Sequence, residues 1–157
     1  MGKYYIDGEV YEKAKSLKLS NDTIILDGSN VAWNRGDRKK GDKPKAINIQ
    51  LVIDELKKEG YKKIKVIADA NLFHDIEDRD IFNKLKQNKI IKEVPGRTEA
   101  DEFIIKYAKE KDARIITLDK FKKWKEQDPW VKEYIDRHLV KFMIEDNVVK
   151  LYGLHIK

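Results

Sequence analysis

Ile24-Ile25-Leu26-Asp27-Gly28-Ser29-Asn30 is the stretch that decides the fold. An apolar, β-branched run, opened by Thr23, ends in a carboxylate and turns at once on glycine. Such a run is a core strand of a sheet covered on both faces. Ile64-Lys65-Val66-Ile67-Ala68 repeats the pattern and ends in Asp69, and Arg114-Ile115-Ile116-Thr117-Leu118 repeats it again and ends in Asp119. Strands that finish in acids place negative charge along one edge of a sheet.

Helical periodicity fills the intervals. Asp42 and Pro44 open a helix with Ile47, Leu51, Val52 and Leu56 at helical spacing, and Gly60 closes it. A second helix is read over residues 77–88 and a short strand over 90–94. Pro95-Gly96 then turns into a helix over 99–109, with Phe103, Ile104 and Tyr107 as its apolar face. An aromatic-rich helical stretch carries Trp124, Trp130 and Tyr134, and residues 140–144 and 148–152 read as a terminal hairpin about Glu145-Asp146-Asn147. Residues 5–19 suggest a small hairpin and short helix, and residues 34–43 a mobile basic loop. Strands alternating with helices predict a three-layer α/β domain on a largely parallel sheet. Residues 1–22 read as an N-terminal extension and 23–157 as a single domain.

The 157 residues, 41% hydrophobic and 39% charged, suit one globular domain with a highly charged surface. Cysteine is absent, which excludes disulfides, thiolate zinc sites and cysteine nucleophiles. No apolar run approaches the ~20 residues of a membrane-spanning helix, and the start of the chain carries no apolar signal segment, so a cytoplasmic protein without a membrane partner is expected. The net charge of +6 raises the odds of a polyanionic partner. Its distribution adds to this: Arg35, Arg38, Lys39, Lys40 and Lys43 follow the first acidic turn, and Lys120, Lys122, Lys123 and Lys125 follow the last.

In an open α/β sheet, ligands bind beyond the carboxyl ends of the strands, where strand order reverses. Asp27, Asp69 and Asp119 stand at such ends, and Asp101-Glu102 opens the helix leading into the last of these strands. Taken singly, each acid has an ordinary role: Asp27 as an Asx-turn residue, Asp119 as a helix cap, Asp101 and Glu102 as acids at a helix N-terminus. Gathered at one sheet edge they repel, and a hard cation such as Mg2+ or Mn2+ relieves the repulsion. Such an ion activates water and neutralises charge on a phosphodiester. Asp69, before Ala70-Asn71, is a second-tier member. Ser29 and Asn30 can orient Asp27 or a phosphate, or cap and tie the turn; Arg97 can clamp a phosphate or stand as a solvated loop charge. Trp33 can stack on a base or cover the core. His74, His138 and His155 show no metal-ligand spacing, and no Walker, dinucleotide or nucleophile-elbow motif is present.

Asp27-Gly28-Ser29-Asn30-Val31-Ala32 with Gly36, then Ala100-Asp101-Glu102, then Ile115-Ile116-Thr117-Leu118-Asp119-Lys120-Phe121, resemble the NYN domain, a PIN-like nuclease family, in its Regnase (CCCH zinc-finger ribonuclease) form without the zinc finger. The resemblance runs over about residues 23–121. It implies a Rossmann-like PIN fold with strand order 3-2-1-4-5 and a Mg2+-dependent endoribonuclease acting on single-stranded or stem-loop RNA, in a family whose members often form homodimers. Carried over, Asp27, Asp101, Glu102 and Asp119 become the metal-binding acids, and Asn30 the Asn of the D-G-x-N turn. Independently of the resemblance, their charge or position beside the acids makes Ser29, Arg35, Arg38, Lys39, Lys40, Arg97, Lys120 and Lys122 the expected RNA contacts. Arg35 stands where the family commonly has His, and Glu102 where it usually has Asp. Two other readings share these residues: a non-catalytic RNA-binding module of the same fold, and a structure-specific DNA nuclease.

Overall fold

The computed structural model describes residues 23–154. The elements read at residues 5–19 lie outside them. In chain order the first half is β1 (Thr23–Asp27), α1 (Gly28–Trp33), a 3-10 turn Arg38–Lys40, α2 (Ala46–Lys58), β2 (Lys63–Asp69), α3 (Ala70–Asp75), α4 (Arg79–Gln87) and β3 (Ile91–Val94). The second half is α5 (Arg97–Lys111), β4 (Arg114–Ile116), α6 (Lys122–Gln127), α7 (Pro129–Tyr134), a 3-10 turn Ile135–His138, β5 (Leu139–Glu145) and β6 (Val148–Tyr152).

The six strands form one sheet in the order β3-β2-β1-β4-β5-β6. Every pairing is parallel except β5 with β6, the terminal hairpin. The order 3-2-1-4-5 that the family resemblance implies is found, with β6 added at the edge, and its reversal lies between β1 and β4. The register there pairs Leu26 with Ile116. Thr117, one residue on, stands level with Asp27 just past the end of β4.

Strand periodicity assigns the faces. Ile24 and Leu26 of β1 pack with Val31, Ile49, Ile53 and Phe82 from α1, α2 and α4. Ile25, on the opposite face, packs with Ile104, Ala108, Ile115 and Val131 from α5, β4 and α7. Asp27 is two residues beyond Ile25, so its side chain leaves the sheet on the α5 side. That parity is what brings it to the acids of α5.

Gly28 begins α1 with no intervening loop. A Cβ there would lie 2.8 Å from the Ile67 carbonyl oxygen and 3.0 Å from the Val66 side chain. Glycine thus lets α1 start flush against β2, holding Asp27 at the very end of its strand.

Several boundaries differ from the sequence reading. The strand read over 114–118 ends at Ile116, so Asp119 stands three residues past it rather than at its end. The helix over 44–60 starts at Ala46, and its free N–H groups are met from a distant segment: Asp78 accepts from Ala46 N–H at 2.7 Å and from Ile47 N–H at 2.8 Å. Asp42 instead accepts from the Asp37 N–H at 2.8 Å. The helix over 99–109 starts earlier, at Arg97, and this changes the role of that residue.

Candidate active site

Asp27 is fully buried. It occupies the N-cap position of α1, yet its side chain makes no cap hydrogen bond. It is turned instead toward Arg97, whose Nη1 donates to Oδ1 at 2.9 Å and whose Nη2 donates to Oδ2 at 3.1 Å. The Thr117 hydroxyl donates to the same Oδ2 at 2.9 Å. The ordinary explanation of an acid before a glycine turn therefore does not describe this residue.

Arg97 opens α5, which puts Asp101 one turn along the same helix face. Nη2 of Arg97 lies 3.6 Å from Asp101 Oδ1 and 3.6 Å from Asp119 Oδ2. One guanidinium thus stands among carboxylates from the end of β1, from α5 and from the segment after β4. Trp124 of α6 donates its indole N–H to Asp101 Oδ2 at 3.1 Å. Asp101 Oδ1 is buried and has no hydrogen-bond partner. Asp119 accepts from the Phe121 N–H at 2.7 Å through its other oxygen, so it is both a turn cap and a member of the cluster.

The segment carrying Asp119 is tied down from two sides. Asn30 accepts from the Leu118 N–H at 2.9 Å, joining the turn after β1 to the loop after β4 across the point of strand reversal. Thr117 Oγ1 accepts from the Asp119 N–H at 3.0 Å while its own proton goes to Asp27.

Burial pushes the Asp101 carboxyl above the usual carboxylate range. The Arg97 charge and the Trp124 N–H pull it down, and Asp27 and Asp119 push it further up. For Arg97, burial opposes the charge, but the Asp27 hydrogen bonds and the surrounding carboxylates outweigh it, so the guanidinium is held even more firmly protonated than usual.

A raised folded-state value means that Asp101 costs nothing below the ordinary Asp range, where folded and unfolded chains are both protonated. Its cost grows as pH rises through the folded value. Asp101→Asn removes that cost. In EDTA, the variant's melting temperature relative to wild type is expected to climb as pH rises from the ordinary Asp range toward neutrality. Melts across that range check it; a difference that stays flat or falls would contradict the burial argument.

The remaining residues singled out in the sequence are distributed as follows. Glu102, about 100° further round the helix than Asp101, is exposed and lines a groove with Lys106, Lys109 and Asp128 on the flank of α5. It is not brought to the cluster. Asp69 is buried and caps its own helix, accepting from the Asn71 N–H at 3.0 Å. Ser29 is half-buried in the first turn of α1. Lys120 and Lys122 are exposed beside Asp119 and help line a groove of about 430 Å3 that also touches Asp101, Phe121 and Trp124. Arg35, Arg38, Lys39 and Lys40 are exposed on the connection between α1 and α2. Arg38 is already engaged, 3.0 Å from Asp75 and stacked 4.8 Å above the Trp33 ring.

Thr117 and Trp124 were not among the expected site residues. A polar residue inside the run Ile115-Ile116-Thr117-Leu118, on the same strand parity as Asp119, was a signal for the first. No local signal marks Trp124.

Oxygen donors from several carboxylates, one of them buried and unsatisfied, are the set a hard divalent cation takes. Among the described residues, however, no three acidic or histidine side chains stand close enough to hold an ion as they are. The carboxylates are spread around a guanidinium, at 2.9 to 3.6 Å from its nitrogens.

Residues 20–152 match the family described as Zc3h12a-like Ribonuclease NYN domain. The chain belongs to this family. This NYN domain is also 24% identical over 153 residues to the uncharacterized protein MJ1085 of Methanocaldococcus jannaschii, covering 96% of this chain and 29% of that protein. Its fold resembles two structures of the nuclear protein-only RNase P 2 (PRORP2) of Arabidopsis thaliana. Both give a TM-score of 0.67 at 15% identity, covering 93% of this chain and 33% and 32% of those chains. The NYN domain thus spans a third or less of the length of the relatives it matches.

Proposed function

We propose that this NYN domain is a divalent-metal-dependent endoribonuclease, hydrolysing phosphodiester bonds of single-stranded or structured RNA in the cytoplasm. The observation that supports this best is the convergence of Asp27, Asp101 and Asp119 on one cationic position where the strand order reverses. These three residues would hold Mg2+ or Mn2+. When bound, the ion supplies charge neutralisation to a phosphodiester and activates water toward it.

The chain's own groups do the rest. Asn30 keeps the Asp119 loop in register with the β1 turn, and Thr117 holds Asp27 and the Asp119 backbone in a fixed relation. Lys120 and Lys122 line the groove next to the acids and would take the RNA backbone, with Arg35, Lys39 and Lys40 extending the contact electrostatically. Residues 23–157 would form the nuclease unit, with residues 1–22 as an extension, in a homodimer or alone.

One observation favours a second reading, a non-catalytic RNA-binding module. Arg97 already neutralises part of the acidic cluster, so the acids do not need an ion to coexist. Incubating wild-type protein with labelled single-stranded RNA, stem-loop RNA and matched DNA, in Mg2+, Mn2+ or EDTA, separates the readings. Internal cleavage of RNA in either metal, absent in EDTA and weak on DNA, is the expected result. Salt-sensitive RNA binding without turnover would select the binding module, and equal hydrolysis of the DNA would select a DNA nuclease.

A further inference from the structure

Arg97 stands where the acids converge. Its guanidinium makes two hydrogen bonds to Asp27 and lies 3.6 Å from both Asp101 and Asp119. A divalent ion held by the same three carboxylates would need the same position, at the much shorter distances of metal–oxygen bonds. Two cations do not share one such seat.

The arginine is an imperfect occupant. It satisfies Asp27 on both oxygens but leaves the buried Asp101 Oδ1 without a hydrogen bond, and one positive charge faces three carboxylates. It also has a way out. Its side chain is 41% exposed, against 0% for Asp27, and it projects from the first turn of α5 beside Asp119, which is 36% exposed. Asp27, at the bottom, stays where the sheet, Thr117 and Gly28 hold it.

We propose that Arg97 is a tethered counter-ion that competes with the divalent cation for the acidic cluster: it holds the carboxylates together without metal and swings toward solvent when metal enters. The swing delivers its guanidinium to the mouth of the site, on the side of Lys120 and Lys122. This inference rests on the reading of the cluster as a metal site.

The test measures metal binding rather than cleavage. Free Mn2+ is counted by its paramagnetic resonance signal in titrations of wild type, Arg97→Gln and Asp119→Asn. Arg97→Gln is expected to bind Mn2+ roughly ten- to a hundredfold more tightly than wild type, because a competing charge a few ångströms away has been removed. Asp119→Asn is expected to bind more weakly. A purely structural arginine predicts the opposite, since losing it would loosen the site. In wild type, the Arg97 side-chain Nε–H resonance, assigned by its loss in Arg97→Lys, is expected to move in a saturable way on Mg2+ addition. That signal decides the matter if Arg97→Gln does not fold. Equal or weaker Mn2+ binding by a folded Arg97→Gln, or an Nε–H resonance unmoved at metal saturation, overturns the competition while leaving the metal site standing. Absence of Mn2+ binding in both wild type and Arg97→Gln overturns the metal reading and the competition with it.

Discussion

Asp27→Asn is expected to slow RNA cleavage on the order of a thousandfold, from the several kcal/mol that a correctly held ion contributes to a phosphoryl transition state. The substitution is close to isosteric, which matters because the side chain is fully buried between β1, α5 and the Thr117 loop. The amide carries one acceptor in place of two, so one of the two Arg97 hydrogen bonds is lost. Arg97 can turn its freed N–H groups to water, and the fold should persist. Single-turnover cleavage of a labelled RNA, alongside a circular dichroism melt, checks both halves. Activity within tenfold of wild type would remove Asp27 from the chemistry.

Arg97→Ala, measured in EDTA, is the second large effect. It leaves the Asp27 carboxylate buried without its cationic partner, and breaking a buried pair in that way costs roughly 3–5 kcal/mol. The lower end of that range applies, because the arginine is partly exposed and water can follow it in. For a chain of this length a loss of about 3 kcal/mol corresponds to a fall of roughly 6–12 °C in melting temperature. Divalent metal should restore much of the loss by replacing the missing charge. Denaturant and thermal melts with and without Mn2+ check it. A variant as stable as wild type in EDTA would mean that the Asp27 charge is compensated elsewhere.

The sheet and its acidic edge were legible because they depend on local pattern. A short β-branched run closed by Asp-Gly is a strand end whatever surrounds it, so Asp27 was legible at its position, whereas Asp119 stands three residues past the end of β4 and the strand order came from the family resemblance. The partners of these acids were less legible because each depends on a helix boundary or on tertiary packing. With its helix read over 99–109, Arg97 stands as a phosphate clamp or a solvated loop charge; starting the helix at Arg97 makes it the neighbour of Asp101 one turn on. Asp101 and Glu102 are adjacent in sequence and chemically alike, yet one turns into the cluster and the other faces the flank groove. Only the angle of α5 against the sheet separates them. Trp124 reaches Asp101 from a helix 23 positions away, and Asp78 caps α2 from 31 or more residues away, distances that no local window spans.

The Thr117 hydroxyl has one proton, and its neighbours dictate where that proton points. The Asp119 backbone N–H donates to its oxygen, so the hydroxyl must donate onward to Asp27. Asp27 therefore receives three donors, two from Arg97 and one from Thr117, and offers none in return. Both Asp27 oxygens are therefore engaged, and a ligand that takes either of them must first displace a donor already held there.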